Sequence, residues 1–270
     1  MKALWIFSCL LTWMYAEQLS EGFNYLKERK FEKAAEIFSN ECNQNIFTSC
    51  EHLAVLYSRG IGVTKNDTTA FELRKKSCSG GSLNACTDMG YHYFFGIGVG
   101  KNEQAAMQIY ENNCNKGEGG SCSNLASIYT NGDGVPKNQN LAFKLYEKAC
   151  KSGHDQGCVT LGSMYEEGDG TTKDYSKALK LYQDSCTDTK TIGCNSLARM
   201  HMLGYGTKVD HKKAIELLDR TCSKNDPYGC YEIGVLYSEG KYLQKNMEKA
   251  KSFFKRSCEL GLKEGCQFAD

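Results

Sequence analysis

The sequence predicts an all-α solenoid of stacked helical hairpins, stapled by disulfides. Three observations predict it. Cysteines stand in pairs with seven residues between them, and the pair returns every 36 residues without a slip: Cys42 with Cys50, Cys78 with Cys86, Cys114 with Cys122, Cys150 with Cys158, Cys186 with Cys194, Cys222 with Cys230 and Cys258 with Cys266. Between one pair and the next lie two apolar stripes of helical period, split by a glycine turn. A repeat of this size is one supersecondary unit that cannot bury its apolar face alone, so units must stack.

Taken in order, residues 1–16 carry one positive charge at Lys2, an apolar run from Ala3 to Trp13, and Ala16 as a small residue before Glu17. Those are the features of a secretory signal peptide, with cleavage expected after Ala16. Cys9 offers a lipoprotein alternative, against which stand the bulky Phe7 and the short apolar run before it. No later segment has about 18 apolar residues in a row, so no membrane association is expected once the signal is removed. Removing residues 1–16 takes Lys2 from the 33 basic residues and Cys9 from the 15 cysteines, leaving 32 basic against 32 acidic residues and fourteen cysteines. That balance shows no basic face, and nucleic acid is not an expected partner.

Fourteen paired cysteines behind a signal peptide read as seven disulfides in a secreted or periplasmic protein. Zinc ligands usually stand two to four residues apart, whereas this chain has no Cys-x-x-Cys and its five histidines do not follow the repeat. No metal and no cofactor is expected. Pairing across a hairpin, Cys122 to Cys150, would strand Cys42 and Cys266, so the expected bonds close the short loops, as Cys150 to Cys158.

The hairpins follow. Residues 17–46 read as an N-terminal pair of helices, Leu19 to Arg29 and Phe31 to Cys42. Six repeats occupy 47–262, at about 47–82, 83–118, 119–154, 155–190, 191–226 and 227–262. The chain stops four residues after Cys266, and 263–270 is a tail held by the last bridge. In each repeat the first helix carries an apolar residue, a small residue and an aromatic in register, as Leu125, Ala126 and Tyr129, with His201 replacing the tyrosine once. Glycine ends that helix at Gly60, Gly96, Gly132, Gly168, Gly204 and Gly240. The second helix repeats alanine at Ala70, Ala106, Ala142, Ala178, Ala214 and Ala250.

The pattern Leu-(Ala/Gly)-x-x-Tyr-x-x-Gly-x-Gly, then Lys-Ala-x-x-x-Tyr-x-x-Ala-Cys, resembles Sel-like repeats, relatives of the tetratricopeptide repeat. With a cysteine pair in every unit behind a signal peptide, the chain is similar to the Helicobacter cysteine-rich protein family. The resemblance implies a right-handed α/α superhelical solenoid. It also implies export and binding of peptides or proteins. Members of that family are described as penicillin-binding proteins with weak β-lactamase activity, which makes β-lactams or peptidoglycan fragments alternative ligands. It supplies no catalytic residue to carry across.

Serine β-lactamases use Ser-x-x-Lys, Ser-x-Asn and Lys-(Thr/Ser)-Gly. All three strings occur, at Ser252 and Lys255, at Ser223 and Asn225, and at Lys151-Ser152-Gly153. Their order is reversed, they fall in different units, and the last is the ordinary turn after a cysteine. Chance is the better account of them, and the catalytic residues stay unknown. His52, His92, His154, His201 and His211 fall in different units or slots, which does not suit a catalytic zinc site.

Binding should use the slots that vary between repeats and point away from the stripe. Two, five and nine residues past the second cysteine are such slots on the first helix. From them the candidate groove residues are Arg59, Asp88, Tyr91, Asn124, Ser127, Thr160, Ser163 and Arg199. The expected ligand is a peptide or protein from the host or the cell envelope.

Overall fold

A computed structural model describes residues 21–269. The expected signal peptide, residues 1–16, lies outside them. The described chain is α-helical throughout, a disulfide-stapled solenoid of helical-hairpin repeats, and divides into two compact units, one up to Leu125 and one from Ala126.

In the first unit a helical segment over residues 21–27 precedes α1 (Phe31–Asn43). Two hairpins follow, α2 (Phe47–Arg59) with α3 (Asp67–Ser79) and α4 (Leu83–Phe95) with α5 (Glu103–Asn115). Helix α6 (Gly119–Asn131) begins in the first unit and ends in the second. The second unit continues with α7 (Gln139–Lys151), α8 (Asp155–Glu167), α9 (Tyr175–Asp184), α10 (Cys194–Leu203), α11 (His211–Ser223), α12 (Pro227–Glu239) and α13 (Met247–Glu259). A single turn, α14 (Lys263–Cys266), closes it. Consecutive helices pack on one another within each unit. The first unit buries Ala34, Phe38, Leu53 and Leu56 in one cluster, and the second buries Ala178, Tyr182, Met200, Ala214 and Ile233 in another.

Each repeat is built by the same local devices. The second helix starts on an Asn or Asp cap: Asn66, Asn102, Asn138, Asp174, Asp210 and Asn246 each accept the backbone N–H three residues on. The same residue donates its own N–H to the carbonyl of the first-helix aromatic, Asn66 to Tyr57 and Asp174 to Tyr165, for example, which sets the hairpin angle. The glycine that ends the first helix sits in the left-handed region, as Gly60 does at φ 68°. Two residues on, a second glycine lies against the start of the preceding second helix: a Cβ on Gly98 would meet the Asp67 carbonyl oxygen at 2.1 Å. Tyr242 stands in that slot in the last repeat, and its ring stacks on His211 with centroids 3.9 Å apart. His211 is the residue a glycine would have touched.

All seven bridges close short loops, in the pairing that the spacing predicts. Cys42 bonds Cys50, Cys78 bonds Cys86, and Cys114 bonds Cys122. Farther along, Cys150 bonds Cys158, Cys186 bonds Cys194, Cys222 bonds Cys230, and Cys258 bonds Cys266. Eight of the fourteen are also core residues: Cys42, Cys114 and Cys222 at the end of a second helix, and Cys50, Cys86, Cys122, Cys194 and Cys230 where the first helix of a repeat begins. Three residues after the first cysteine of a pair the turn calls for positive φ, supplied by Asn45, Gly81, Gly117, Gly153, Asn225 and Gly261. Thr189 occupies that slot once, and a β-branched residue avoids it. There the loop takes another path. Thr187 N–H bonds the Lys190 carbonyl, and α9 and α10 are 10 residues long where the neighbouring helices have 13. Arg220 replaces the missing turn contacts by reaching the sulfurs of Cys186 and Cys194 and the carboxylate of Asp188.

Candidate functional site

The variable slots of the first helices are open to solvent or half-buried. In the first unit Arg59, Asp88 and Tyr91 are exposed and Asn124 is half-buried. Val55, Tyr91 and Phe95 are exposed apolar residues, and the rings of Tyr91 and Phe95 pack with centroids 4.5 Å apart. In the second unit Ser127, Thr160 and Ser163 are half-buried, Arg199 is exposed, and Leu203 is the exposed apolar residue.

Several of these side chains are not free, and the cause is a slot on the second helix. It holds Phe38, Arg74, Tyr110, Tyr146, Tyr182, Leu218 and Phe254 in successive units. The ring there presses on the small first-helix residue: a Cβ on Gly90 would lie 2.7 Å from the Tyr110 ring, and one on Gly162 2.6 Å from Tyr182. The buried phenols then hydrogen-bond the face. Tyr110 bonds Asn124, and Tyr146 bonds Thr130 and Ser127. Tyr182 donates to Glu166 at 3.2 Å and also bonds Ser196. Burial pushes all three hydroxyls above the usual tyrosine value.

Two arginine–carboxylate pairs complete the face. Arg74, in the tyrosine slot, is only 8% exposed. Its Nε contacts Asp88 at 3.4 Å, while its Nη1 is buried without a partner. Arg199 makes a two-pronged pair with Glu166, one prong at 2.8 Å. Burial also pushes His52 and His92 below the usual histidine value. For His92 the hydrogen bond to the Ile97 carbonyl works the other way.

Two cavities open among these residues. One of about 580 Å³ in the first unit is lined by Ser58, Lys65, Asp67, Arg74, Asp88 and Tyr91, with His92 and Ile97. One of about 540 Å³ in the second unit is lined by α10 and α12, from Asn195 to Leu203 and from Tyr228 to Glu239, with Leu218, Lys241 and Tyr242.

The β-lactamase-like strings do not become a site. Ser252 and Lys255 are exposed on α13, the Ser223 hydroxyl donates to the Arg220 carbonyl at 2.7 Å, and Ser152 caps the end of α7. His201 fills the tyrosine slot half-buried, with a ring nitrogen lacking a partner. Among the described residues no group of three or more His, Cys, Asp or Glu side chains could hold a metal ion, and no helix is long and apolar enough to cross a membrane.

Sequence reasoning missed the roles of Arg74, Glu166, Tyr110, Tyr182 and the Asn/Asp caps. The caps recur every 36 residues and were there to be read. Glu166 carries no such signal, since its slot holds a different residue in other repeats.

This is the face of a helical-hairpin repeat protein. The Sel1 repeat family matches residues 48–82, 83–117, 120–154, 156–187, 191–226 and 227–262, and the chain belongs to that family. A Sel1 repeat protein from Oxalobacter formigenes is 21% identical, with 89% of this chain and 98% of that one covered and a TM-score of 0.78. A protective antigen of uropathogenic Escherichia coli displaying an SLR fold is 24% identical with a TM-score of 0.65; the alignment covers 93% of this chain but only 55% of that one. Helicobacter pylori cysteine rich protein B is 26% identical over 62% of this chain and 94% of that one, with a TM-score of 0.26. No curated protein matches.

Proposed function

We propose that the protein is an exported binding module that holds a peptide or protein segment against the exposed faces of the first helices within its units. The observation that carries this reading is the composition of those faces. Exposed apolar groups (Val55, Tyr91, Phe95 and Leu203) stand beside hydroxyl and amide side chains. Such a mixture suits side-chain anchoring together with hydrogen bonds to a peptide backbone. Seven disulfides fit an oxidising compartment, and together with the signal-peptide-like sequence of residues 1–16 they support a secreted or periplasmic location. Ligands would then come from the host or the cell envelope. The repeat boundaries near 47–262, with a hairpin before and a tail after, describe the unit that would bind. The alternative reading, β-lactam hydrolysis, has less to support it: Ser252 is exposed on α13 and the Ser223 hydroxyl donates to the Arg220 carbonyl.

The test is selection of a displayed random dodecapeptide library on the oxidised chain, followed by ¹⁵N shift mapping of a selected peptide. Shifts confined to α2, α4, α6, α8, α10 and α12 are expected. Shifts confined to the second helices, or no selection at all, would overturn the reading.

A further inference from the structure

The cavity of the second unit differs from an ordinary solvated wall in how its charges are committed. Its floor is apolar, made by Ala198, Met202, Leu218, Val235 and Leu236, and its rim exposes Leu203 and Tyr228. Four charged residues line it: Arg199, Lys241, Glu232 and Glu239. Both cations are engaged. Arg199 is held by the buried carboxylate of Glu166, and the Lys241 ammonium lies 5.0 Å from the centre of the Tyr242 ring. No cation stands within ion-pair distance of Glu232 or Glu239 among the described residues; Lys241 acts on Glu239 only from farther away, as an exposed ammonium whose pKa is raised first by Tyr242 and then by Glu239. Counting Glu166, the cluster carries three carboxylates against two cations, so an added positive charge would balance it.

We infer that this cavity is a subsite for a basic peptide, one that seats an aliphatic or aromatic side chain on the Met202–Leu236 floor and sets a neighbouring lysine or arginine against Glu232 and Glu239. The inference rests on the peptide-binding reading above and gives it a chemistry. A volume of about 540 Å³ accommodates one large apolar side chain and the stem of a basic one. The flexible thioether of Met202 can adjust to different apolar shapes. Glu232 is exposed at the cavity rim, and the apolar atoms around its base, followed by the nearby Glu239, push its carboxyl above the usual value.

The displayed dodecapeptide library again serves as the probe, selected on the full oxidised chain, on E232Q/E239Q and on E232K/E239K. Selected sequences should carry lysine or arginine within three positions of Leu, Ile or Phe. They should bind the Gln variant at least tenfold more weakly. The Lys variant should select acidic residues in their place, an inversion that misfolding cannot produce. Enrichment of neutral or acidic sequences on the original chain would overturn this subsite while leaving the groove reading intact. No enrichment on any variant would overturn both. Self-association of the chain that is lost in L203S would assign the cavity to a second copy and also overturn the proposal.

Discussion

The two units solve the same problem with opposite charges. In the first, a buried arginine of the second helix, Arg74, faces an aspartate of the open face, Asp88, whose side chain is 61% exposed. In the second, a buried glutamate of the first helix, Glu166 at 7%, faces an arginine of the open face, Arg199 at 49%. The geometry also differs. Asp88 touches Arg74 once, at 3.4 Å, whereas Arg199 grips Glu166 with two nitrogens and Tyr182 adds a third bond. The difference teaches that a variable slot on the face can be occupied structurally. The exposed partner neutralises a buried ion, so it is only partly available to a ligand.

Removing the bridges gives the largest expected effect and tests whether both units depend on them equally. Each short-loop disulfide contributes about 2–3 kcal/mol in the chain-entropy model, and a quasi-one-dimensional stack has no central core to absorb the loss. C78S/C86S and C150S/C158S should each lower stability by about that amount in denaturant titrations. An unchanged midpoint for either would break the symmetry between the units.

The ion pairs come next. Stranding a buried charge is more costly than losing an exposed pair. R199A should cost roughly 2 kcal/mol, because it leaves the Glu166 carboxylate with Tyr182 as its only remaining bond. D88A should cost roughly 1 kcal/mol, since the contact it removes is single and long. If D88A proves the more damaging, the Arg74 pair is tighter than the geometry implies. R74Y, which installs the phenol found in the next repeats, should be close to neutral or stabilising by thermal melt, since it removes a buried cation.

Acid should separate the units by a smaller margin. Burial holds His52 and His92, both in the first unit, below the ordinary histidine value of 6.5. The unfolded chain then takes up protons on these rings before the folded one does. The stability they contribute is complete above about pH 6.5 and falls as pH drops through their folded values. Melts at pH 7.5 and 5.5 should show that fall, and H52Q/H92Q should flatten it. An equal fall in the double variant would place the acid sensitivity elsewhere.

Much of the fold was legible because its causes are local and periodic. The cysteine spacing, the apolar stripes and the helix-ending glycines each repeat at the same offset, and the helices lie where those signals put them. The turn at Thr189 was equally legible in principle, since only that repeat lacks Gly or Asn in the left-handed slot. The occupancy of the face was not legible. The Arg199–Glu166 contact joins residues 33 apart in slots that differ from repeat to repeat, and Tyr110 bonds Asn124 with its ring packed over Gly90, 20 residues before it. A list of variable slots identifies where the surface is, but packing decides which of its side chains are already spoken for.

The rerouted loop after Cys186 has a consequence for how the chain would meet a protease. Residues 187–190 are exposed and outside any helix, and Cys186–Cys194 ties the two sides of the loop together. A cut after Lys190 would therefore release nothing. The nicked chain would migrate as one piece without reductant and as two pieces with it. In an extracellular setting, such a nick would leave the repeats covalently joined for as long as the bridge persisted.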